Sequence, residues 1–430
     1  MEKQNKLSNV EVLVIDNGQF HSFASCIAKD FKKVWYYTRW DMKGFAKPQD
    51  RFPGFGFPEI TTIDYMFKTS DKEGEYDFNR IGLFIFTDLY FSDIQAHLVS
   101  LGKRVFGSRG DESLELDRWG FKKTLIKLGL PIAQTVRKKG LDALRSYLKS
   151  NNNKYIKISC YRGAFETFKH EDYSLTEPIL DKLEQDFGAL KNVIEFIVED
   201  EIKTDLEVGY DGYVIDGQFP DNSMLGIETK DCSFMLKTLK YKDLPAQVRI
   251  VNTKLIPYFK ERQYRMFFDT EIRVKGKMPY FTDPVYGRLP SPPSEIYQEL
   301  ISNLAEICYY GAEGILIEPE FTAKYAGELI ITSGWLSDGN WQAIDFPDSI
   351  KNNVKLRYAC MIDGKYYCIP MDMPEVGAIV ATGNTVNEVI ESLKDIASKI
   401  KGHDITIKID KIDKTMETIA EMEKKLGIKF

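Results

Sequence analysis

Paired cysteines, clustered histidines, long apolar runs and charge of one sign are all missing from this 430-residue chain. Its six cysteines (Cys26, Cys160, Cys232, Cys308, Cys360 and Cys368) form no CxxC pair, and only four histidines accompany them. That scatter argues against a structural zinc site and a disulfide framework, and it fits a reduced, cytoplasmic protein. No apolar stretch has the length of a membrane span, and the opening MEKQNKLSNVEVLVID lacks the apolar core of a signal peptide, so neither membrane nor export is expected. Lys and Arg number 58 against 64 Asp and Glu, interleaved along the chain, which leaves no basic face for nucleic acid. Internal repeats and low-complexity tracts are absent as well.

What is present is ordinary globular material, 43% hydrophobic and 28% charged, in a chain long enough for two to four domains. VEVLVID (10–16) reads as a strand, NGQ as a turn, HSFASCIAKDF as a helix and KKVWYYT as the next strand. RIGLFIFTDLYFSDIQAHLVSLGKRVFGS repeats the order, with a strand from Ile81, a helix ending near Gly102 and a strand from Arg104 to Phe106. Such alternation predicts a parallel sheet covered by helices, with ligands at the C-terminal ends of its strands. IDNGQFHS lacks the full GxGxxG spacing, so it demands no dinucleotide.

The pattern changes after residue 110. DESLELDRWGFKKTLIKLGLP carries Phe121, Leu125 and Leu128 at helical spacing, with Asp111 as the expected N-cap. A strand IAQTV, a helix LDALRSYLKS and a strand YIKIS follow, then NVIEFIVEDEI, a hairpin around Gly276 and one helix over SEIYQELISNLAEICYYG. The last unit reads as strands LRYACMI, YYCIPM and GAIVAT followed by the helix TVNEVIESLKDIASKI.

Two stretches carry chemistry. In NKYIKISCYRGAFETFKH, Lys157 interrupts an apolar strand, and Arg162-Gly163 follows at once. A lone strand lysine ordinarily snorkels to solvent. A glycine just past the strand, letting backbone amides approach a ligand, and an added arginine charge together suggest a phosphate-covering hairpin. In FFDTEIRVKGKMPYFTDPVYGR, a three-residue loop at 275–277 would pair Asp269 with Asp283 and Glu271 with Phe281, placing three acids on one face. A cation must lie among them, either a basic side chain or Mg²⁺, which favours one or two carboxylates plus phosphate oxygens. Glu271 and Asp283 are the expected Mg²⁺ ligands, with Asp269 either a third candidate that substitutes for a missing ligand or facing solvent under a different register.

In this order, a helix with Arg118, a strand lysine with a Gly-containing flap, an apolar strand running into acids and two acid-bearing strands resemble the ATP-grasp fold. The chain more closely resembles the phosphoribosylamine-glycine ligase family over nearly its whole length, with VFGS at 105–108 and GAIVATGNTVNEV at 377–389 similar to family segments. The resemblance implies an α/β and α+β multidomain protein. An open parallel-sheet domain spans 1–107, a two-lobed ATP-grasp core 108–350 with its small lobe at about 130–205, and a small C-terminal α+β domain 351–430.

It also implies ATP and Mg²⁺ as cofactors, with Arg118 and Lys157 on nucleotide phosphates and Arg162-Gly163 in the covering flap. Backbone from Glu195 through Phe196 to Ile197 would meet adenine, Glu201 the ribose, and Arg288 the reacting phosphoryl group. Asn17, Gly18 and His21 replace the family's Gly-Gly-Arg-Glu-His run that meets the amine substrate, and Val285 stands where the family has a metal-binding Asn. The family's glycine-rich loop is absent after GIETKDCSFM, where Lys230 and Asp231 alone remain. The implied activity is an ATP-dependent carboxylate–amine ligase with diverged substrates, glycine or another amino acid as the acid and an amine-bearing metabolite as its partner. A homodimer is the expected assembly. The family's own purine-pathway reaction, a non-catalytic ATP sensor and a kinase-like enzyme stay open as alternatives.

Overall fold

The computed structural model describes residues 7–39, 53–161, 165–203, 207–229, 232–371, 373–427 and 430. Three bodies of sheet position the site. The first is a five-stranded parallel sheet, ordered Thr61–Ile63, Lys33–Thr38, Glu11–Asp16, Ile81–Phe86 and Val105–Phe106. Glu11–Asp16 lies at its centre with all six residues buried, as a strand covered on both faces must be. The chain leaves this strand for Lys33–Thr38 on one side and later returns to Ile81–Phe86 on the other, so a crevice opens at its C-terminal end.

The turn at that crevice is built by Asp16, whose buried carboxylate accepts hydrogen bonds from the Asn17 and Phe20 amides at 2.8 Å each and from the Tyr36 hydroxyl. Gly18 holds φ 110°, and a Cβ there would lie 2.8 Å from the Pro53 ring and 3.0 Å from Tyr358. Any side chain is therefore excluded twice over, by conformation and by space.

The second body is an antiparallel sheet ordered Thr135–Lys139, Glu195–Asp200, Lys154–Ile158 and Thr167–His170. Helices Leu141–Leu148 and Tyr173–Phe187 cover one face, where Leu144, Leu180 and Leu183 pack against Ile156, Ile158, Phe196 and Val198. Strand alternation then sends Lys157 to the opposite face, which explains a lysine inside an apolar run.

The third body is a nine-stranded antiparallel sheet, ordered Met278–Tyr286, Arg265–Lys275, Glu207–Ile215, Asn222–Thr229, Ser233–Lys240, Tyr325–Ser333, Glu375–Gly383 and Val354–Leu356, with Ile405–Ile407 paired to Tyr325–Ser333. Strands beyond residue 350 thus complete the sheet begun at residue 207. The remaining C-terminal strands form a separate small sheet with Gln342–Asp345. No helix among the described residues is long and apolar enough to cross a membrane.

Three local expectations need correction. The 275–277 loop is a two-residue turn, with Lys275 opposite Met278 and Gly276 at φ 62°, and a bulge between Glu271 and Ile272 adds a second step. Glu271 therefore faces Asp283, and Asp269 faces Val285. The three acids keep one face but slide by one pair. The 294–311 segment is two helices, Ser294–Leu300 and Leu304–Ala312, broken at residues 301–303. The helix Arg118–Lys127 is capped by Asp117, which accepts from the Gly120 amide at 2.8 Å, because Asp111 belongs to the turn before it and bonds Ser113 and Arg262.

Candidate functional site

A cleft separates the lysine-bearing face of the four-stranded lobe from the Met278–Tyr286 edge of the large sheet. Lys157, Glu199, Asp200 and Ile202 line it from the lobe, and Glu271, Thr282 and Asp283 from the sheet. Lys157 Nζ donates to the Thr282 carbonyl at 2.7 Å and to Asp283 at 3.1 Å, and lies 3.6 Å from Glu199. Arg118, only 3% exposed, reaches the other Asp283 oxygen and sits 4.0 Å from Glu166. Lys122 holds the second oxygen of Glu199 at 2.5 Å.

The charges in this cleft neutralise one another. Burial pushes the Asp283 carboxyl up, but Arg118 and Lys157 outweigh it and hold the group well below the usual carboxylate range. Burial likewise acts against the charged form of Lys157, and Asp283 with Glu199 reverses it and raises the ammonium pKa. Arg118 and Lys157 thus stay charged beside a space open to solvent, the arrangement that binds a polyanion once the acids yield their hold, whereas burial lowers the Lys122 ammonium pKa against the pull of Glu199.

Beyond Glu271 lies a second hollow, on the same face of the large sheet. Glu207, Glu228, Asp269 and Glu271 line it with Arg288 and Ser291 at its edge. Glycines form its floor: a Cβ on Gly226 would meet the Asp211 carboxylate at 2.1 Å, and one on Gly209 the Thr270 carbonyl at 2.3 Å. Carboxylate oxygens of Glu207, Glu228 and Glu271 come within 4.8 Å of one another. Asp269 and Asp211 lie opposite each other in the ladder, both buried, and Asp269 does not face solvent as the alternative register required. Burial and then the charges of Asp211 and Glu271 push the Asp269 carboxyl well up. Burial, reinforced by Glu228, raises Asp211 to about 8. Arg288 is fixed by Glu115 at 2.9 Å, and the same carboxylate accepts the Tyr286 amide at 3.0 Å.

The remaining expected residues fall elsewhere. Glu195, Phe196 and Ile197 do not line the cleft: their strand is interior to the lobe, its backbone pairs on both sides, and Ser159 N–H takes the Glu195 carbonyl. The backbone of these three residues is engaged in the sheet, and the strand ends at Asp200. Glu201 pairs with Lys169 at 3.3 Å. Asn17 donates to the Leu89 carbonyl at 3.1 Å, and Gln19 ties this turn to the edge of the acidic hollow by donating to Ser291 Oγ at 2.9 Å. His21 points away into a separate cavity, its ring 4.5 Å from Phe57. Arg162, Gly163, Lys230 and Asp231 lie outside the described residues.

Sequence reasoning missed Lys122, Glu199, Glu115, Glu207 and Glu228. Lys122 had a signal, since four residues after Arg118 it shares that residue's helix face. The acids had none, because folding brings their partners from other elements: Lys122 is 77 residues from Glu199 and Tyr286 is 171 residues from Glu115.

By sequence, no family model and no curated protein matches the chain. By fold, it is similar to phosphoribosylamine-glycine ligase from Thermotoga maritima, with 16% identity, 92% of this chain and 98% of that one covered, and TM-score 0.66. The fold is the ATP-grasp fold. Other proteins with this ATP-grasp architecture include biotin carboxylase from Campylobacter jejuni (12% identity, 98% of each chain, TM-score 0.64). N5-carboxyaminoimidazole ribonucleotide synthetase from Thermus thermophilus is another (12% identity, 90% and 98%, TM-score 0.57).

Proposed function

We propose that this chain is an ATP-dependent ligase that joins a small carboxylic acid to an amine through an acyl phosphate. The observation that carries the reading is the convergence of Arg118, Lys122 and Lys157 on Asp283 and Glu199 beside Glu271, in the cleft between the two lobes of an ATP-grasp fold. Supporting it, the similar biotin carboxylase was solved as an ATP complex, and a 2-oxoglutarate carboxylase domain with MgADP and bicarbonate.

In this reading the nucleotide phosphates take over Lys157 and Arg118 from Asp283, with Ile202 at the base and Glu201 at the ribose. The acid's carboxylate oxygen attacks the γ-phosphorus, the bond to the bridging β–γ oxygen breaks, and ADP leaves. The amine nitrogen then attacks the acyl carbon, the C–O bond to phosphate breaks, and the nitrogen gives up a proton to phosphate or solvent. Arg288, buried and held by Glu115, aims a fixed positive charge at the transferring group.

The donor set fits Mg²⁺. Glu207, Glu228 and Glu271 offer three clustered carboxylate oxygens, with Glu207 also meeting Arg273 at 3.0 Å, whereas Asp283 is held by both Arg118 and Lys157 and position 285 offers none. Bound there, Mg²⁺ would supply charge neutralisation for the phosphates. Asn17 and Gly18, at the crevice beside Ser291, form the amine-side surface. Glycine or another amino acid is the acid class, in a cytoplasmic setting.

ADP release with Mg-ATP, across a panel of amino acids and small carboxylates with hydroxylamine as the amine, tests the reading. A hydroxamate from one acid, lost in Lys157→Met, is the expected result. Silence across the panel despite tight ATP binding would point instead to a sensor, which the valine at 285 favours.

A further inference from the structure

Building on the ligase reading, we propose that Ser291 holds the attacking amine by accepting one of its N–H groups, and that the amine substrate is for this reason a primary amine. Ser291 is half-buried on the wall of the acidic hollow, which Arg288 and Pro292 also line. It is also the point where the turn after strand Glu11–Asp16 touches that hollow, through Gln19. Ser291 thus stands between the amine-side crevice and the wall that carries Arg288. Its segment is fixed at both ends. Leu289 N–H donates to the Thr87 carbonyl at 2.9 Å, just past strand Ile81–Phe86, and Ser294 N–H donates to the Pro290 carbonyl at 2.8 Å where helix Ser294–Leu300 begins.

The direction of its hydrogen bonds follows from the charges behind it. Glu295 is buried and paired with Arg357 at 2.8 Å, and a carboxylate so paired only accepts. The hydroxyl proton of Ser291 goes to Glu295 Oε1, at 3.3 Å. Ser291 Oγ then accepts on its other side, which makes the near end of Gln19 its amide nitrogen, donating at 2.9 Å, and leaves the Gln19 carbonyl to accept from the Tyr358 hydroxyl at 3.4 Å. A serine hydroxyl has one proton and two lone pairs. With the proton and one lone pair taken, what Ser291 still offers is a single acceptor position.

An acceptor without a donor selects among nucleophiles. Forming the amide takes one N–H from the nitrogen and commits its lone pair to the acyl carbon. A primary amine has a second N–H, which stays on Ser291 through the step and keeps the lone pair aimed, whereas a secondary amine must give up the one N–H it could place there. No proton passes through Ser291 in this scheme, since its own stays with Glu295 and the proton lost by nitrogen leaves to phosphate or solvent.

The test compares hydroxylamine with N-methylhydroxylamine as the amine, with Mg-ATP and the acid that supports hydroxamate formation, in the parent, Ser291→Ala and Ser291→Thr. The parent should favour hydroxylamine in kcat/KM. Ser291→Ala should shrink that preference by roughly three- to tenfold, the worth of one hydrogen bond, through a higher KM for hydroxylamine. Ser291→Thr keeps the oxygen and should keep the preference. ADP release without amine and the KM for ATP should stay within about twofold of the parent in both variants, a split that a merely structural role would not produce. No preference in the parent, or an unchanged one in Ser291→Ala, would overturn the proposal and leave the ligase reading standing. An equal fall in amine-independent ADP release would do the same, by placing Ser291 on the acid or the nucleotide. No ADP release by the parent with any acid would overturn the ligase reading and this proposal with it.

Discussion

Two patches on one face of the large sheet treat the same residue type in opposite ways. In the interlobe cleft, Asp283 and Glu199 are each held by two cations, and their carboxyls are driven below the usual range despite burial. A few residues away, Asp211 and Asp269 face each other with no cation between them, and burial drives both upward. Distance from a basic side chain decides the difference: Arg118, Lys122 and Lys157 come from the small lobe and its preceding helix, and they reach the sheet edge but not its interior. The cleft is thus balanced by side chains that a polyanion can take over, while in the hollow Arg273 meets Glu207 at 3.0 Å and the Asp211–Asp269 pair is eased by a proton.

The largest effect should come from breaking the cationic side. Lys157→Met should lower ADP release by about 100-fold or more, because a buried charge meant for the phosphates is gone. Arg288→Ala should cost a comparable factor in kcat while leaving ATP affinity, measured by titration, near that of the parent. A parallel loss of affinity would place Arg288 on bound nucleotide and not on the transferring group.

Next comes the acidic side. Glu228→Gln or Glu207→Gln should raise the Mg²⁺ concentration needed for half-maximal ADP release by roughly tenfold, while Asp283→Asn should do so less, since its charge is already matched by Arg118 and Lys157. The reverse ranking would move the metal to Asp283.

The two patches should also titrate in opposite directions. A carboxyl whose folded pKa is raised holds its proton more tightly in the folded state, so its contribution is complete below about pH 4 and is lost as pH climbs towards about 8. In chelator-treated protein, Asp211→Asn should therefore flatten the fall in Tm between pH 5 and 8. Glu199→Gln should act at the other end, where a depressed carboxyl gives stability above its unfolded pKa and loses it as pH drops further. The smallest effect belongs to Glu201→Ala. Its pairing with Lys169 is at the surface, so Tm should hold and the KM for ATP should rise only about twofold.

Much of the scaffold was legible because its signals are local. The strand over 10–16, the strand from Ile81 and the helix TVNEVIESLKDIASKI needed only periodicity and turn residues, and all three stand within a few residues of their expected bounds. The hairpin at 275–278 was half legible. Its acids shared a face as expected, but the bulge after Glu271 leaves no mark in composition, and it decided which acid faces which. The adenine strand misled for a different reason: Glu195 to Ile197 match a pattern, yet pairing on both edges spends their backbone groups.

By itself the sequence determined the alternation that turns Lys157 away from its apolar neighbours, the glycine at 18 and the acids along strands Glu207–Ile215 and Arg265–Lys275. Those are properties of a residue and its immediate neighbours. Tertiary structure alone decided that Asp283 is neutralised and Asp211 is not, that Glu207 and Glu228 join Glu271, and that His21 lines a separate cavity. Charge and solvation depend on what lies within a few ångströms in space, and strand order brings together acids separated by dozens of residues in the chain.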